Sequence, residues 1–135
     1  MKKKFDVIKK FDVIGLGVSP LDVVTQVDHF PAQDEVQRAL GVVVQGGGPV
    51  ATAMVTLARL GARVAMLDVL SGDWRGDLIR DEFQREGVDT DFLELREGYT
   101  SSIASVWVRQ DDGARSIVYA PGTVPEMSAG DISRD

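Results

Sequence analysis

The sequence predicts an α/β fold, an open sheet with flanking helices and a small β extension near its start. Residues 49–60 have the pattern of a helix, because they begin with a proline and stop at a glycine. The apolar run at residues 64–69 is typical of a strand in a parallel sheet. Residues 23–44 are rich in β-branched side chains and predict two further strands before the first helix.

Composition and charge limit the classes of protein to which the chain can belong. Its 135 residues are 44% hydrophobic and 27% charged, which is typical of one compact globular domain. The net charge of −6 leaves no basic surface to neutralise a nucleic-acid backbone, so DNA and RNA are excluded as partners. A small molecule is the class of ligand that we expect.

Neither a membrane anchor nor a secretion signal is expected. No segment approaches the roughly 20 apolar residues that cross a bilayer. Lys9 and Lys10 interrupt the short apolar run near the start that a signal peptide would need. The chain contains no cysteine, which removes disulfides and thiolate nucleophiles and is compatible with a reducing compartment. We therefore expect a cytoplasmic protein with no membrane partner.

The start of the chain is a direct repeat. Residues 3–8 read Lys-Lys-Phe-Asp-Val-Ile, and residues 9–14 read the same six again. A repeat this short is not a solenoid unit, and only the second copy continues into a predicted strand. We treat residues 1–10 as a duplicated extension or a remnant of cloning, and residues 11–135 as the folded unit.

Strands and helices are predicted along most of that unit. The strands are expected at residues 11–16, 23–30, 35–44, 64–69, 92–95, 103–109 and 116–119. The helix at residues 49–60 is almost entirely apolar, so it is expected to be buried, whereas the helix at residues 74–86 is amphipathic and faces solvent. Asp111, Asp112 and Gly113 predict a hairpin between the last two strands.

Gly15 and Gly17 follow the first strand and superficially match the start of a dinucleotide-binding fingerprint. Pro20 occupies the place of the third glycine. Residues 21–27 favour a strand over the helix whose N-terminus would meet the phosphates. A fragment of a nucleotide-binding oxidoreductase is therefore the weakest of the functional hypotheses.

Gly46, Gly47 and Gly48 directly precede the first predicted helix. Three glycines let backbone amides approach a ligand closely, and the helix N-terminus then points at that ligand. The lysine and hydroxyl of a phosphate-binding loop are missing, so ligand hydroxyls or a carboxylate fit at least as well as a triphosphate. A glycine turn that only fits the helix to the sheet is the structural alternative.

Asp22 and His29 are the polar candidates near the first strand. Asp22 lies at the edge where open α/β sheets bind their ligands, and a carboxylate there can accept two sugar hydroxyls. A solvated turn aspartate is the alternative. His29, the only histidine, has no cysteine and no obvious carboxylate at metal-ligand spacing, so we predict a structural role for it.

Together these segments resemble the amino-terminal region of the ribokinase-like, or PfkB, carbohydrate kinases. The resemblance rests on Gly17 and Asp22 and on the sequence Gln-Gly-Gly-Gly-Pro-Val-Ala-Thr-Ala at residues 45–53. It continues in the family's order at residues 71–73, 87–90, 112–115 and 120–122. It covers residues 11–135 and implies a ribokinase-like open sheet with a β lid, of which the amino-terminal half is present.

The resemblance also implies which residues bind the sugar. In the family, the aspartate after the first strand and the paired glycines before the first helix hold it. These map onto Asp22, Gly46 and Gly47, with Gly48 adjacent and with Ser19 and Ala104 as weaker candidates. The complete enzyme is expected to use ATP and Mg²⁺.

The chain departs from the family pattern in two places. Many members have an asparagine where this chain has Ala51, so one side-chain hydrogen bond to the substrate is missing and ribose itself is less certain. The family's Gly-Ala-Gly-Asp signature, whose aspartate is the catalytic base, is absent, and the Gly-Asp pair at residues 130–131 does not replace it. No catalytic, cofactor-binding or metal-binding residue is therefore assigned, and we predict that the isolated chain is inactive.

The resemblance thus implies the sugar-binding half of an ATP-dependent sugar kinase. A non-catalytic sugar-binding or dimerisation module is the alternative. Residues 23–44 are more apolar than an exposed two-stranded extension tolerates, and in the family such a lid often pairs across a dimer interface. We expect a sugar as the ligand and a homodimer formed through the lid.

Overall fold

The structure is a computed structural model that describes residues 10–128 and residue 130. Residues 1–9, and with them nearly all of the duplicated extension, lie outside the described residues. The elements are β1 (Val13–Leu16), β2 (Leu21–Val27), β3 (Gly41–Gly46), α1 (Pro49–Arg59), β4 (Val64–Ser71), α2 (Trp74–Arg85), β5 (Leu93–Arg96), β6 (Ile103–Arg109) and β7 (Arg115–Ala120). Neither described helix is long and apolar enough to span a membrane.

A three-stranded parallel sheet forms the base of the fold. Its strand order is β1-β4-β5, with Val13 opposite Val64 and Asp68 opposite Leu93. Helix α1 packs against β1 and β4, and helix α2 packs against β4 and also against β2 and β3. The parallel sheet predicted from the run at residues 64–69 is therefore present.

The other strands form a four-stranded mixed sheet in the order β3-β2-β6-β7. Strands β2 and β6 are parallel, and the two outer pairs are antiparallel. The predicted hairpin between β6 and β7 is confirmed, with Gly113 at a positive φ of 70°. The β extension expected from residues 23–44 thus supplies only half of the mixed sheet.

The hydrophobic core lies where the helices meet the two sheets. Leu21 reaches it from the mixed sheet, so both sheets share one core. The buried members of this cluster are Leu21, Ala51, Met54, Val64, Met66, Leu70, Ile79, Phe83 and Val88. Because Leu21 directly precedes Asp22, burial of this leucine fixes the strand on which the candidate site begins.

Helix α1 is less buried than its composition predicted. Ala51 and Met54 face the core, whereas Thr52, Ala53 and Thr56 are exposed. The prediction of a buried helix is wrong because the outward positions hold alanine and threonine, which count as apolar or neutral but expose little apolar area. The helix covers the parallel sheet from one side only.

The predicted strand at residues 35–44 begins only at Gly41. Before it, the chain forms a loop closed by side-chain hydrogen bonds, since Glu35 accepts from the Ala32 amide at 2.7 Å and meets His29 Nε2 at 2.7 Å. Gln37 donates to the His29 carbonyl at 2.8 Å. These local bonds give the backbone an alternative to a sheet ladder.

The start of helix α2 is fixed by a polar network. Asp73 is its N-cap, and the carboxylate accepts from the amides of Arg75 and Gly76 and from the Ser71 hydroxyl. The buried hydroxyls of Ser71 and Ser101 lie 2.8 Å apart, and each accepts from the other residue's amide. This network joins α2 to the end of β4 and to the residues before β6.

Replacing the N-cap should destabilise the fold measurably. Asp73→Ala is expected to lower the free energy of unfolding by about 1 to 2 kcal/mol, because it leaves helix amides without acceptors. Asp81→Ala is the matched control, since Asp81 is exposed within α2 and lies 3.7 Å from Arg80 in a surface ion pair. It should change stability by less than about 0.5 kcal/mol. Urea unfolding followed by circular dichroism measures both, and equal losses would contradict the capping role.

Candidate functional site

The Asp22 carboxylate lies directly against the backbone of the glycine turn. Asp22 is the second residue of β2, where it is half-buried and stands opposite Gln45 on β3. A Cβ atom added to Gly47 would come within 2.2 Å of Asp22 Oδ2. The structure therefore brings Asp22 and Gly47 together, and Gly47 cannot carry a side chain while Asp22 keeps this position.

Gly48 is required for a different reason. Its φ is 94°, which is the left-handed region that disfavours side chains, and an added Cβ would lie 2.5 Å from the Val18 carbonyl oxygen. Gly48 is also the N-cap of α1, and Pro49 follows at the first helical position. The turn thus passes tightly between the loop after β1 and the start of α1.

Two of the glycine amides already have acceptors inside the chain. The Gly47 amide donates to the Pro20 carbonyl at 2.8 Å, and the Gly46 amide donates to Glu82 Oε2 at 2.5 Å. A hydrogen bond from either amide to a ligand would have to share or replace these bonds. What the turn offers without rearrangement is close access to Asp22.

Ala104 lies beside Asp22 on the neighbouring strand. The cross-strand partners Gln45, Asp22, Ala104 and Tyr119 form one row across the mixed sheet. Cross-strand partners point to the same side of a sheet. Asp22 and Ala104 are therefore neighbours on one face, where Ala104 is buried and Asp22 is half-buried.

The electrostatic surroundings of Asp22 raise its pKa. Partial burial is the larger cause, because it disfavours the charged form, and repulsion from the Glu82 carboxylate adds to it. Both carboxylates flank the Gly46–Gly47 turn. The Asp22 carboxylate is thus a hydrogen-bond acceptor that is less well solvated than an ordinary surface aspartate.

Ser19 borders a separate pocket. The residue is 2% exposed, its amide donates to Asp68 Oδ2 at 2.9 Å, and its hydroxyl meets no partner with hydrogen-bond geometry. The pocket has a volume of about 230 Å³ and lies at the carboxyl ends of β1 and β4, and Asp22 does not line it. The structure therefore does not bring Ser19 and Asp22 to one cavity.

Asp68 is a buried polar residue that the sequence analysis missed. It is 5% exposed and lines the same pocket as Ser19. Burial raises its pKa to about 6, against the opposing effect of the hydrogen bonds from Ser19 and from the Val69 amide. A single aspartate within the apolar run at residues 64–69 was the available signal.

No described residues suggest a metal site. Within residues 10–128 and residue 130, no three His, Cys, Asp or Glu side chains group closely enough to hold a metal ion. His29 lies exposed in the loop before β3, where its ring contacts Glu35 and Asp28. These contacts are consistent with the structural role predicted for it.

Residues 9–131 match the sequence model of pfkB family carbohydrate kinases. The chain belongs to the pfkB family. It is 26% identical over 122 residues to the ketohexokinase of Mus musculus, an alignment that covers 90% of this chain and 41% of that protein. It is 29% identical over 113 residues to the ribokinase of Haemophilus influenzae, covering 84% and 37% of the two chains.

A solved structure shows the same fold. The ribokinase of Arabidopsis thaliana, determined in complex with ribose and ATP, matches with a TM-score of 0.65 at 22% identity over 81% of this chain and 35% of that one. The family match confirms the predicted PfkB resemblance, and the structural match confirms the predicted ribokinase-like α/β fold. The pfkB chain spans about two fifths of the length of these relatives.

Lowering the pH should stabilise the fold through Asp68. Burial raises the pKa of Asp68 from its ordinary 3.8 to about 6, so the folded state binds the proton more tightly than the unfolded state does. The penalty for the buried charge is present above pH 6 and is relieved as the pH falls toward 3.8. A shift of two pKa units corresponds to about 3 kcal/mol in the free energy of unfolding, of which about 1 to 2 kcal/mol should be gained by about pH 5.

Urea unfolding of the wild type and of Asp68→Asn measures this contribution. The wild type is expected to gain stability relative to the variant between about pH 7.5 and about pH 5. Because both proteins contain His29 and the same surface carboxylates, the difference between them isolates Asp68. A difference that does not change with pH would show that Asp68 titrates normally.

Proposed function

We propose that this chain forms the sugar-binding part of an ATP-dependent carbohydrate kinase, which transfers the γ-phosphoryl group of ATP to a sugar hydroxyl. The observation that supports it is the Asp22 carboxylate lying against the glycine turn, in a chain that matches the pfkB family over residues 9–131. Ketohexokinase and ribokinase are among its relatives, so a small sugar is the proposed substrate.

Asp22 is the proposed anchor for the sugar. An ionised carboxylate accepts hydrogen bonds from two neighbouring hydroxyls, and such bonds are stronger than those between neutral groups. Gly47 and Ala104 place no large side chain beside the carboxylate. Ala51, in the first turn of α1, has no side-chain amide to offer the ligand, and this loss of one side-chain hydrogen bond argues against ribose as the substrate.

The mixed sheet is the proposed lid over this site. Beyond the row that contains Asp22, the next row on the same face holds Val43, Val24, Val106 and Ile117. An apolar surface over the acceptor hydroxyl would exclude water, which would otherwise compete as a phosphoryl acceptor. Positioning of the acceptor is then the contribution of this chain to the reaction.

Phosphoryl transfer itself is not assigned to residues of this chain. A kinase needs a base for the acceptor hydroxyl and donors or a cation for the developing phosphoryl charge. The Gly-Ala-Gly-Asp sequence that would supply them is absent here. ATP and Mg²⁺ are therefore proposed as cofactors of the complete enzyme, and no described residues form a metal cluster for them.

The alternative is a module that binds a sugar or a second copy without catalysis. The exposed apolar side chains of the mixed sheet favour it, since they suit an association surface whatever the chemistry. An activity assay that includes the region with the catalytic residues distinguishes the two hypotheses. A kinase then forms phosphorylated sugar, and a non-catalytic module does not. In either case the chain alone is expected to bind sugar without forming a phosphorylated product.

Asp22→Ala should abolish most of the sugar affinity. A hydrogen bond to a charged group contributes about 1.5 to 3 kcal/mol, so the affinity should fall on the order of tenfold or more. Titration calorimetry with a panel of hexoses and pentoses, with and without ATP, measures it. Asp28→Ala is the control, because Asp28 is exposed and contacts His29 in the loop, away from Asp22. Failure of every sugar to bind, or an unchanged affinity for Asp22→Ala, would refute the proposal.

A homodimer through the mixed sheet is the second expectation. Val42 is 58% exposed on the edge strand β3, and Val118 is 65% exposed on the opposite edge strand β7. Exposed edge strands with apolar side chains are usually protected by pairing with another strand or by an element that covers them. Light scattering at micromolar concentration should give a dimer for the wild type and for Ala53→Glu, which alters the exposed side of α1, but a monomer for Val42→Glu. A monomeric wild type would exclude the homodimer through the mixed sheet.

A further inference from the structure

Glu82 reaches from helix α2 to the glycine turn. Its Oε2 atom accepts from the Gly46 amide at 2.5 Å, although the two residues are 36 positions apart in the chain. A Cβ atom on Gly46 would lie 3.4 Å from the same oxygen. The contact is half-buried, and it ties the last residue of β3 to a helix that packs beneath the mixed sheet.

We propose that Glu82 is a positioning residue for the sugar site, because its carboxylate holds the Gly46–Gly47 turn in place beneath Asp22. This inference rests on the proposed function, since it assumes that Asp22 binds the sugar. Nothing in the sequence pattern or in the family resemblance assigns a role to Glu82. Its effect on the ligand passes through the turn and through Asp22, so it is not a catalytic residue.

The geometry of the turn supports this role. The Gly47 amide is held by the Pro20 carbonyl, and the preceding Gly46 amide is held by Glu82. The peptide between these two donors is therefore fixed from both sides. A Cβ atom added to Gly47 would overlap the Asp22 carboxylate, so the position of the turn limits where the carboxylate can lie.

The charge of Glu82 has a second consequence for the site. The neighbours of Asp22 along its row are Gln45 and Ala104, which are neutral, with Tyr119 one strand further away. The charged group that acts on Asp22 from α2 is Glu82, and its repulsion adds to the effect of burial in raising the pKa of Asp22. Arg59 of α1 interacts with Glu82 but is bound to Glu86.

The two effects predict different results for two substitutions. Glu82→Gln keeps an oxygen acceptor for the Gly46 amide but removes the charge, so the pKa of Asp22 should fall. Sugar binding needs ionised Asp22, so the pH midpoint below which binding is lost should also move to lower pH. At neutral pH the affinity should stay within about twofold. Glu82→Ala removes the acceptor, and its affinity should fall on the order of tenfold.

Glu86→Gln is the matched control. Glu86 is the residue that caps the C-terminal end of α2, is also half-buried, and is bound to Arg59 at 2.6 Å instead of to the turn. It removes the same charge from the same helix without touching Gly46. We expect it to leave the Asp22 titration and the sugar affinity unchanged.

Two measurements on the chain test the inference. The titration of the Asp22 carboxyl carbon, followed by carbon-13 NMR, requires no sugar, and calorimetry across the same pH range gives the affinity. A lowered Asp22 midpoint in Glu82→Gln, together with weakened binding in a folded Glu82→Ala, supports the positioning role. Circular dichroism tests whether Glu82→Ala is folded. If Glu82→Ala is unfolded, the Asp22 titration in Glu82→Gln still decides the question.

An Asp22 midpoint that is the same in Glu82→Gln and the wild type would overturn the inference and leave Glu82 as a structural contact between α2 and β3. So would a Glu82→Ala variant that binds sugar with unchanged affinity. If the wild type binds no sugar at any pH, the proposed function fails, and the sugar-site role of Glu82 fails with it. The NMR titration then still shows whether the two carboxylates are coupled, so the two failures are distinguishable.

Discussion

The approach of the Asp22 carboxylate to the backbone of Gly47 is the constraint on which the candidate site depends. It places a charged side chain where a single added Cβ atom would lie 2.2 Å away. Three parts of the fold must be correctly placed to permit this contact. Strand β2 carries Asp22 and is held by burial of Leu21, the turn is held by Pro20 and Glu82, and Gly48 adopts a positive φ to start α1.

The two sheets differ in how deeply they are buried. The parallel sheet contributes mainly to the stability of the fold, and the mixed sheet presents a surface that is available for binding. The central strand β4 of the parallel sheet is almost wholly buried, and Asp73 and Ser71 fix the end of that strand to α2 and β6. In the mixed sheet, β7 is exposed along its whole length, and β3 is exposed at every residue except Gly46. Apolar side chains on an exposed sheet contribute little to this chain's own core, which is consistent with a surface that acts on a ligand or on a second copy.

Local patterns predicted the features that depend on neighbouring residues. The proline at the start of α1 and the glycine after its end predicted the bounds of this helix to within one residue. Asp111 to Gly113 predicted the hairpin that the structure contains. The strand expected from residue 35 failed because Glu35, Gln37 and His29 bond to one another and to the loop backbone. Propensity alone does not register such competing side-chain bonds.

Long-range contacts could not be predicted in the same way. Glu82 belongs to the helix that was expected to be amphipathic and to face solvent, and only the packing of α2 against β3 brings it to Gly46. Asp68 was hidden in a run that otherwise indicates a buried strand, and its burial is visible only when β4 is placed between β1 and β5. Asp22 was chosen as a candidate because family resemblance and strand position agreed, whereas its contact with Gly47 required the structure.

The charge of the site bears on which form of the sugar the proposed site would bind. Asp22 and Glu82 are both acidic, and among the described residues no cation forms an ion pair with Asp22. The hydroxyls of a neutral sugar can donate hydrogen bonds to such a carboxylate without electrostatic repulsion. A phosphorylated sugar adds negative charge near two carboxylates in a partly desolvated site, where repulsion is screened less than in water. If Asp22 binds the sugar as proposed, the two carboxylates would favour binding of the unphosphorylated sugar over binding of its phosphorylated product.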